Sequence, residues 1–146
     1  MNGFHSPSAR RSSTLEGSTS NDSSCTSCVP GQYKNTSTPT ACLACPLGYH
    51  TANQSAATAC TSCTPGFYAN TIASPNCTSC PKGTHNNQNA STTIESCATC
   101  KKGKYADSKN STSCKLCPKG KLLIVDRAAK YHDELADCND CPSLQF

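Results

Sequence analysis

All fourteen cysteines of this 146-residue chain stand in seven pairs of the form Cys-x-x-Cys. The pairs are Cys25 and Cys28, Cys42 and Cys45, Cys60 and Cys63, Cys77 and Cys80, Cys97 and Cys100, Cys114 and Cys117, and Cys138 and Cys141. They begin 17, 18, 17, 20, 17 and 24 residues apart, so the chain is an internal repeat. Six residues after the first cysteine of each of the first six pairs comes a glycine: Gly31, Gly48, Gly66, Gly83, Gly103 and Gly120. Two positions further stand Tyr33, His50, Tyr68, His85, Tyr105 and Leu122. Pro30, Pro46, Pro65, Pro81 and Pro118 lie just before the glycine; only Lys101 and Lys102 interrupt the series. Proline fixes φ and glycine admits positive φ, so each unit predicts a tight turn after its second cysteine, then a short extended segment through the Tyr position. The Tyr ring is expected to cover a disulfide.

A second rhythm sits on the first. Units beginning at Cys25, Cys60 and Cys97 step by 17 residues and carry Tyr at the eighth following position. Units beginning at Cys42, Cys77 and Cys114 have Pro directly after the second cysteine, carry His or Leu instead, and step by 18, 20 or 24. The larger period predicts modules over 25–59, 60–96 and 97–137, preceded by a polar arm at 1–24 and followed by the start of a further repeat at 138–146. In the long last interval, 121–125 reads as a strand and 126–137 as a short helix, with Asp126 as N-cap and Tyr131 and Leu135 on one face.

Composition excludes an ordinary core. Leu, Ile, Val and Phe number sixteen in all, Trp is absent, and Ser plus Thr reach thirty-seven. Such a chain cannot offset the backbone entropy of folding, about 1–2 kcal/mol per residue, by apolar burial alone, so crosslinks or metal must supply the order. The expected fold is small and disulfide-rich: an elongated tandem array of short β-hairpin and loop repeats. No apolar run approaches a membrane span. Net charge is mild at +4, with neither a strong basic stripe nor clustered aromatics, which argues against nucleic acid. The one concentrated charge is at 97–121, where Lys101, Lys102, Lys104, Lys109, Lys115, Lys119 and Lys121 face only Asp107. They are the candidate binding residues, for an acidic glycan or an acidic protein face.

Three chemistries use Cys-x-x-Cys. A thioredoxin-type motif needs one pair at a helix start in a βαβ setting, which turn-punctuated loops do not supply. Zinc is the alternative function, as an intracellular zinc-binding array of four-cysteine sites; here the gaps of 13, 14, 13, 16, 13 and 20 residues mostly fall short of the usual window, and seven pairs do not divide into twos. Disulfides fit best, and no cofactor is implied. Asn-x-Ser/Thr sequons support an oxidising compartment: Asn35, Asn53, Asn89 and Asn110 lie in the polar stretches between pairs and are the glycosylation candidates, beside weaker ones at Asn21 and Asn76. The four His are too scattered to nominate an enzyme. Asp126, Asp133, Glu134, Asp137 and Asp140 lack calcium-loop spacing and read as a solvated face.

The units Cys77-Thr-Ser-Cys-Pro-Lys-Gly and Cys114-Lys-Leu-Cys-Pro-Lys-Gly resemble the cysteine-rich repeats described as ephrin type A/B receptor-like, within the broader growth-factor-receptor and tumour-necrosis-factor-receptor type. The resemblance covers about 25–142 and departs at Lys101 and Lys102, at Leu144 in the seventh glycine position, and in the insert before Cys138. It implies an extracellular or cell-surface location, a place in a larger protein, a role as stalk or protein-interaction surface, and no catalytic residues. Two pairings remain open. A staggered ladder, as in related receptor modules, joins Cys28 to Cys42, Cys45 to Cys60, Cys63 to Cys77, Cys80 to Cys97, Cys100 to Cys114 and Cys117 to Cys138, leaving Cys25 and Cys141 for outside partners. Bonds within two-pair units, beginning Cys25 to Cys42 and Cys28 to Cys45, leave Cys138 and Cys141 over. The ladder is preferred. The arm at 1–24 has no apolar stretch of a secretory signal, so a fragment of a longer protein or an incomplete gene model is expected; its Arg10-Arg11-Ser12-Ser13 resembles a kinase site, and His132-Asp133-Glu134-Leu135 is an internal, hence unread, retrieval sequence.

Overall fold

The computed structural model describes residues 27–35, 41–123 and 128–141. Cys25, Asp126, the arm at 1–24 and the residues after Cys141 lie outside them. Among the described residues, twelve strands of two residues pair into six antiparallel hairpins. They are β1 (Gln32–Tyr33) with β2 (Leu43–Ala44), β3 (Tyr49–His50) with β4 (Thr61–Ser62), and β5 (Phe67–Tyr68) with β6 (Thr78–Ser79). There follow β7 (Thr84–His85) with β8 (Ala98–Thr99), β9 (Lys104–Tyr105) with β10 (Lys115–Leu116), and β11 (Lys121–Leu122) with β12 (Asn139–Asp140).

The cysteine spacing explains the hairpins. The two residues inside each later pair are themselves the second strand, and the glycine and the residues after it supply the first. A residue and its third neighbour in a strand point to opposite faces, so the two sulfurs of one pair cannot serve the same loop. One bonds back and one bonds forward. The bonds are those of the ladder: Cys28–Cys42, Cys45–Cys60, Cys63–Cys77, Cys80–Cys97, Cys100–Cys114 and Cys117–Cys138. In every hairpin the second cysteine's N–H continues the pairing to the glycine carbonyl, as in Cys63 to Gly48 at 2.8 Å and Cys141 to Gly120 at 2.9 Å. The turns form where expected, with Gln32 N–H on Val29 C=O at 3.0 Å and Phe67 N–H on Thr64 C=O at 3.1 Å. The turn at Lys101 closes equally well, Lys104 N–H reaching Lys101 C=O at 3.0 Å, because positive φ at Gly103 rather than the missing proline is what it requires.

Successive loops are joined backbone to backbone. The glycine N–H of one unit donates to the residue after the Tyr or His position of the next: Gly48 to Ala69 at 2.9 Å, Gly66 to Asn86 at 2.8 Å and Gly83 to Ala106 at 2.8 Å. Gly31 uses the side chain there instead, donating to Thr51 Oγ1 at 2.7 Å. Those acceptors donate in turn to the following loop, Ala69 N–H to Ser91 C=O and Ala106 N–H to His132 C=O. Contacts also reach the next loop but one. A Cβ on Gly31 would overlap the Ala73 carbonyl, and one on Gly66 would overlap that of Asn110. Glycine is needed at these positions for close backbone approach as well as for the turn.

What is buried is thin. The largest fully enclosed side chains are Leu123, His132 and six half-cystines. Tyr68 packs on Cys80 and Cys97, and Tyr105 on Leu123, Cys138 and Cys117, so each ring covers the disulfide of the next loop rather than of its own. The helix expected over 126–137 is not formed among the described residues: two 3₁₀ turns, Ala129–Tyr131 and Leu135–Asp137, stand there. Tyr131 and Leu135 are both exposed, so no apolar face docks to stabilise so short a helix. The strand expected over 121–125 is seen as Lys121–Leu122, Leu123 being buried beyond it and 124–125 lying outside the described residues.

Candidate interaction surface

Two clefts occupy equivalent places in successive modules. The first, about 340 Å³, is lined by His50, Thr64, Phe67, Asn76 and Cys77. In the second, about 360 Å³, His85 and Cys114 replace His50 and Cys77, while Lys101 and Lys104 stand where Thr64 and Phe67 stand in the first. Asn87, Thr112 and Ser113 complete its wall. Each cleft therefore opens at the His of one unit, over a half-buried sulfur of the next loop.

The two imidazoles are held in opposite tautomers. Ala52 N–H donates to His50 Nδ1 at 2.8 Å, which leaves the proton of the neutral ring on Nε2. His85 Nδ1 lies 3.0 Å from the Ala98 carbonyl and 3.2 Å from Cys114 Sγ, the sulfur of a disulfide. Both partners are acceptors only, so this Nδ1 carries the hydrogen and Nε2 of the neutral ring is an acceptor.

The seven lysines are all exposed, but they do not form one uniform patch. Lys115 Nζ makes a two-pronged contact with both Asp107 oxygens at 2.8 Å. That hydrogen bond, with some opposition from desolvation, holds the Asp107 carboxyl below its usual range and raises Lys115. Lys121 reaches Asp140 at 3.4 Å. Lys101 and Lys104 sit at the two ends of one turn and enter the cleft. Lys102, Lys109 and Lys119 lie outside it.

Among the glycosylation candidates, Asn53, Asn89 and Asn110 are exposed and Asn35 is half-buried. Asn53 and Asn110 adopt positive φ, and the Asn110 N–H is fixed to Cys80 C=O at 2.9 Å, so the backbone is anchored while the side chain faces out. Asp133, Glu134 and Asp137 come together, but Asp137 is occupied in capping: its Oδ2 accepts the N–H of Asp133 and of Glu134, both at 3.1 Å. Asp140 stands apart on β12 against Lys121. Cys141 has a free, exposed thiol with no partner among the described residues, as the ladder, which reserves it for a partner outside the array, expects. The sulfurs of one pair go to different neighbours, and the grouping of His85 with Cys100 and Cys114 consists of an imidazole beside two sulfurs already bonded to each other. That arrangement leaves no four-thiolate set among the twelve bonded cysteines.

Several of these positions carried no sequence signal. Thr51, Ala69, Asn86, Ala106 and Leu123 share one buried row but no common chemistry. Asn86 is the extreme case: its Nδ2 donates to Phe67 C=O and Ser91 Oγ, and its Oδ1 accepts Gln88 N–H. The clefts have one sequence signal, the alternation of Tyr with His two positions after the glycine.

Comparison with protein families finds a match to the model described as tyrosine-protein kinase ephrin type A/B receptor-like, at residues 17–59 and 51–97, more than half of the chain. Comparison with curated proteins finds no match. Among the described residues no helix is long and apolar enough to cross a membrane.

Proposed function

Because the chain belongs to the ephrin type A/B receptor-like cysteine-rich repeat family, we propose that it is a non-enzymatic, extracellular segment of a larger surface or secreted protein. It acts there as a disulfide-stapled stalk or protein-interaction module, with a protein or acidic glycan as partner. The observation that carries this reading is the uninterrupted series of six disulfides, each closing one polar loop. Such a series persists in an oxidising compartment and is kept reduced in the cytosol. The outward Asn53, Asn89 and Asn110 support the same location as carriers of glycans, with Asn35 as a fourth. Modules over 25–59, 60–96 and 97–137 are the repeating unit of this segment.

The test is passage through the secretory pathway. Expressed behind a cleavable leader in eukaryotic cells, the chain should emerge with the six disulfides intact and lose mass on enzymatic removal of N-glycans. Retention in the cell as a reduced species that folds only with zinc would favour the array of four-cysteine zinc sites instead.

A further inference from the structure

Deepening the interaction-module reading and resting on it, we propose that the cleft over Cys114 is a subsite for a sulfate ester of a sulfated glycan. Lys101 and Lys104 bring two cations to one wall, and among the described residues neither is drawn into an ion pair, unlike Lys115 and Lys121. The hydroxyls of Thr112 and Ser113 and the amide of Asn87 add neutral donors. His85, its Nδ1 hydrogen committed to Ala98 and Cys114, presents Nε2 as an acceptor. This set matches a sulfate, which only accepts hydrogen bonds, next to a sugar hydroxyl, which can donate one to Nε2. The lining carries no Phe, Tyr, Trp, Leu, Ile or Val to receive the apolar anchor of a partner protein, whereas a sulfated sugar offers sulfate and hydroxyl oxygens to the donors present. A concave wall also focuses the field of the two lysines beyond what scattered surface charges achieve.

The upstream cleft is a built-in control, since the same backbone carries Thr64 and Phe67 where this one carries Lys101 and Lys104. The substitutions Lys101→Thr with Lys104→Phe therefore install residues that the scaffold already accepts. Binding of a heparin-derived tetrasaccharide to the full chain is measured by calorimetry at physiological salt. Loss of two charge-assisted contacts should weaken it at least about tenfold, whereas Lys109→Thr with Lys119→Thr, removing equal charge outside the cleft, should cost less than about threefold. A non-reducing peptide map verifies that each variant keeps its disulfides. Equal losses from both variants, no loss from the cleft variant, or equally tight binding of a polyglutamate peptide of the same charge would overturn the proposal. Failure of the tetrasaccharide to bind the wild-type chain also overturns it, while the disulfide-stapled module is judged separately by the secretion test.

Discussion

The loops Cys63–Cys77 and Cys117–Cys138 span 14 and 21 residues and reach the same docking contact by different means. In the short loop Ala73 takes a left-handed conformation, φ 57°, and lays its carbonyl against Gly31. In the long one Ala129 opens a 3₁₀ turn and lays its carbonyl against Gly83. Ser74 then fills the buried place in the short loop, and His132 fills it in the long one. The repeat is thus defined by where a loop carbonyl and a disulfide fall, not by loop length, and the insert is accommodated without shifting either. The glycines at 103 and 120 complete the contrast: among the described residues Gly103 meets only the tip of Leu122, and Gly120 meets nothing within 4 Å.

Removing either disulfide is the largest test of this equivalence. Loss of Cys63–Cys77 or of Cys117–Cys138 by paired Cys→Ser substitution should each destabilise by about 3 kcal/mol, the longer loop by only a few tenths more. Urea unfolding of the two variants checks it; a much smaller loss for the longer loop would mean that the insert is not held as the short loops are. Next in size, Gly66→Ala forces a Cβ into the Asn110 carbonyl and should cost about 2–4 kcal/mol. Gly120→Ala, in open space, should cost only the positive-φ penalty of about 1 kcal/mol. Equal costs would show that glycine serves the turn alone.

These contrasts mark what the sequence could and could not reveal. The hairpins and turns were legible because proline and glycine each carry one dominant constraint at fixed spacing; the ladder was favoured over bonds within two-pair units only through the resemblance to related receptor modules. The docking of Ala73 and Asn110 on glycine was not legible, because it is made by backbone carbonyls that any residue owns. The row from Ala69 to Leu123 was hidden for the same reason, since what it shares is a backbone carbonyl that accepts a glycine N–H, and at Thr51 a hydroxyl takes that place. The helix expected over 126–137 rested on the four-residue spacing of Tyr131 and Leu135, whereas the local geometry is set by His132, whose carbonyl accepts Ala106 N–H and whose Nδ1 meets Lys104 C=O at 3.0 Å. The candidate cleft was half legible: the lysines stood out as charge, but only the fold separates Lys101 and Lys104 from Lys115, which is already paired with Asp107.

Smaller effects sharpen the comparison. Ala73→Gly relieves left-handed strain in the short loop and should stabilise by about 0.5–1 kcal/mol; the same change at Ala129, whose φ is not positive, should destabilise by a similar amount. The smallest effect is acidic. Asp107 is held below its usual range by Lys115, so its contribution is present above the ordinary carboxylate value of about 4 and fades as pH falls through the lowered one. Because the pair is exposed, acid should produce only a slight rise in exchange at β10, absent in Asp107→Asn.

Order in this chain is attributed to disulfides and to the backbone docking they align, with neither an apolar core nor a metal in that role. Hydrogen exchange of the native protein tests this directly, read at the Cys63, Cys80 and Cys100 amides that pair with Gly48, Gly66 and Gly83. Reductant alone should abolish protection at all three, and a zinc chelator alone should leave it unchanged. Protection that survives reduction, or that is lost to the chelator, would contradict it.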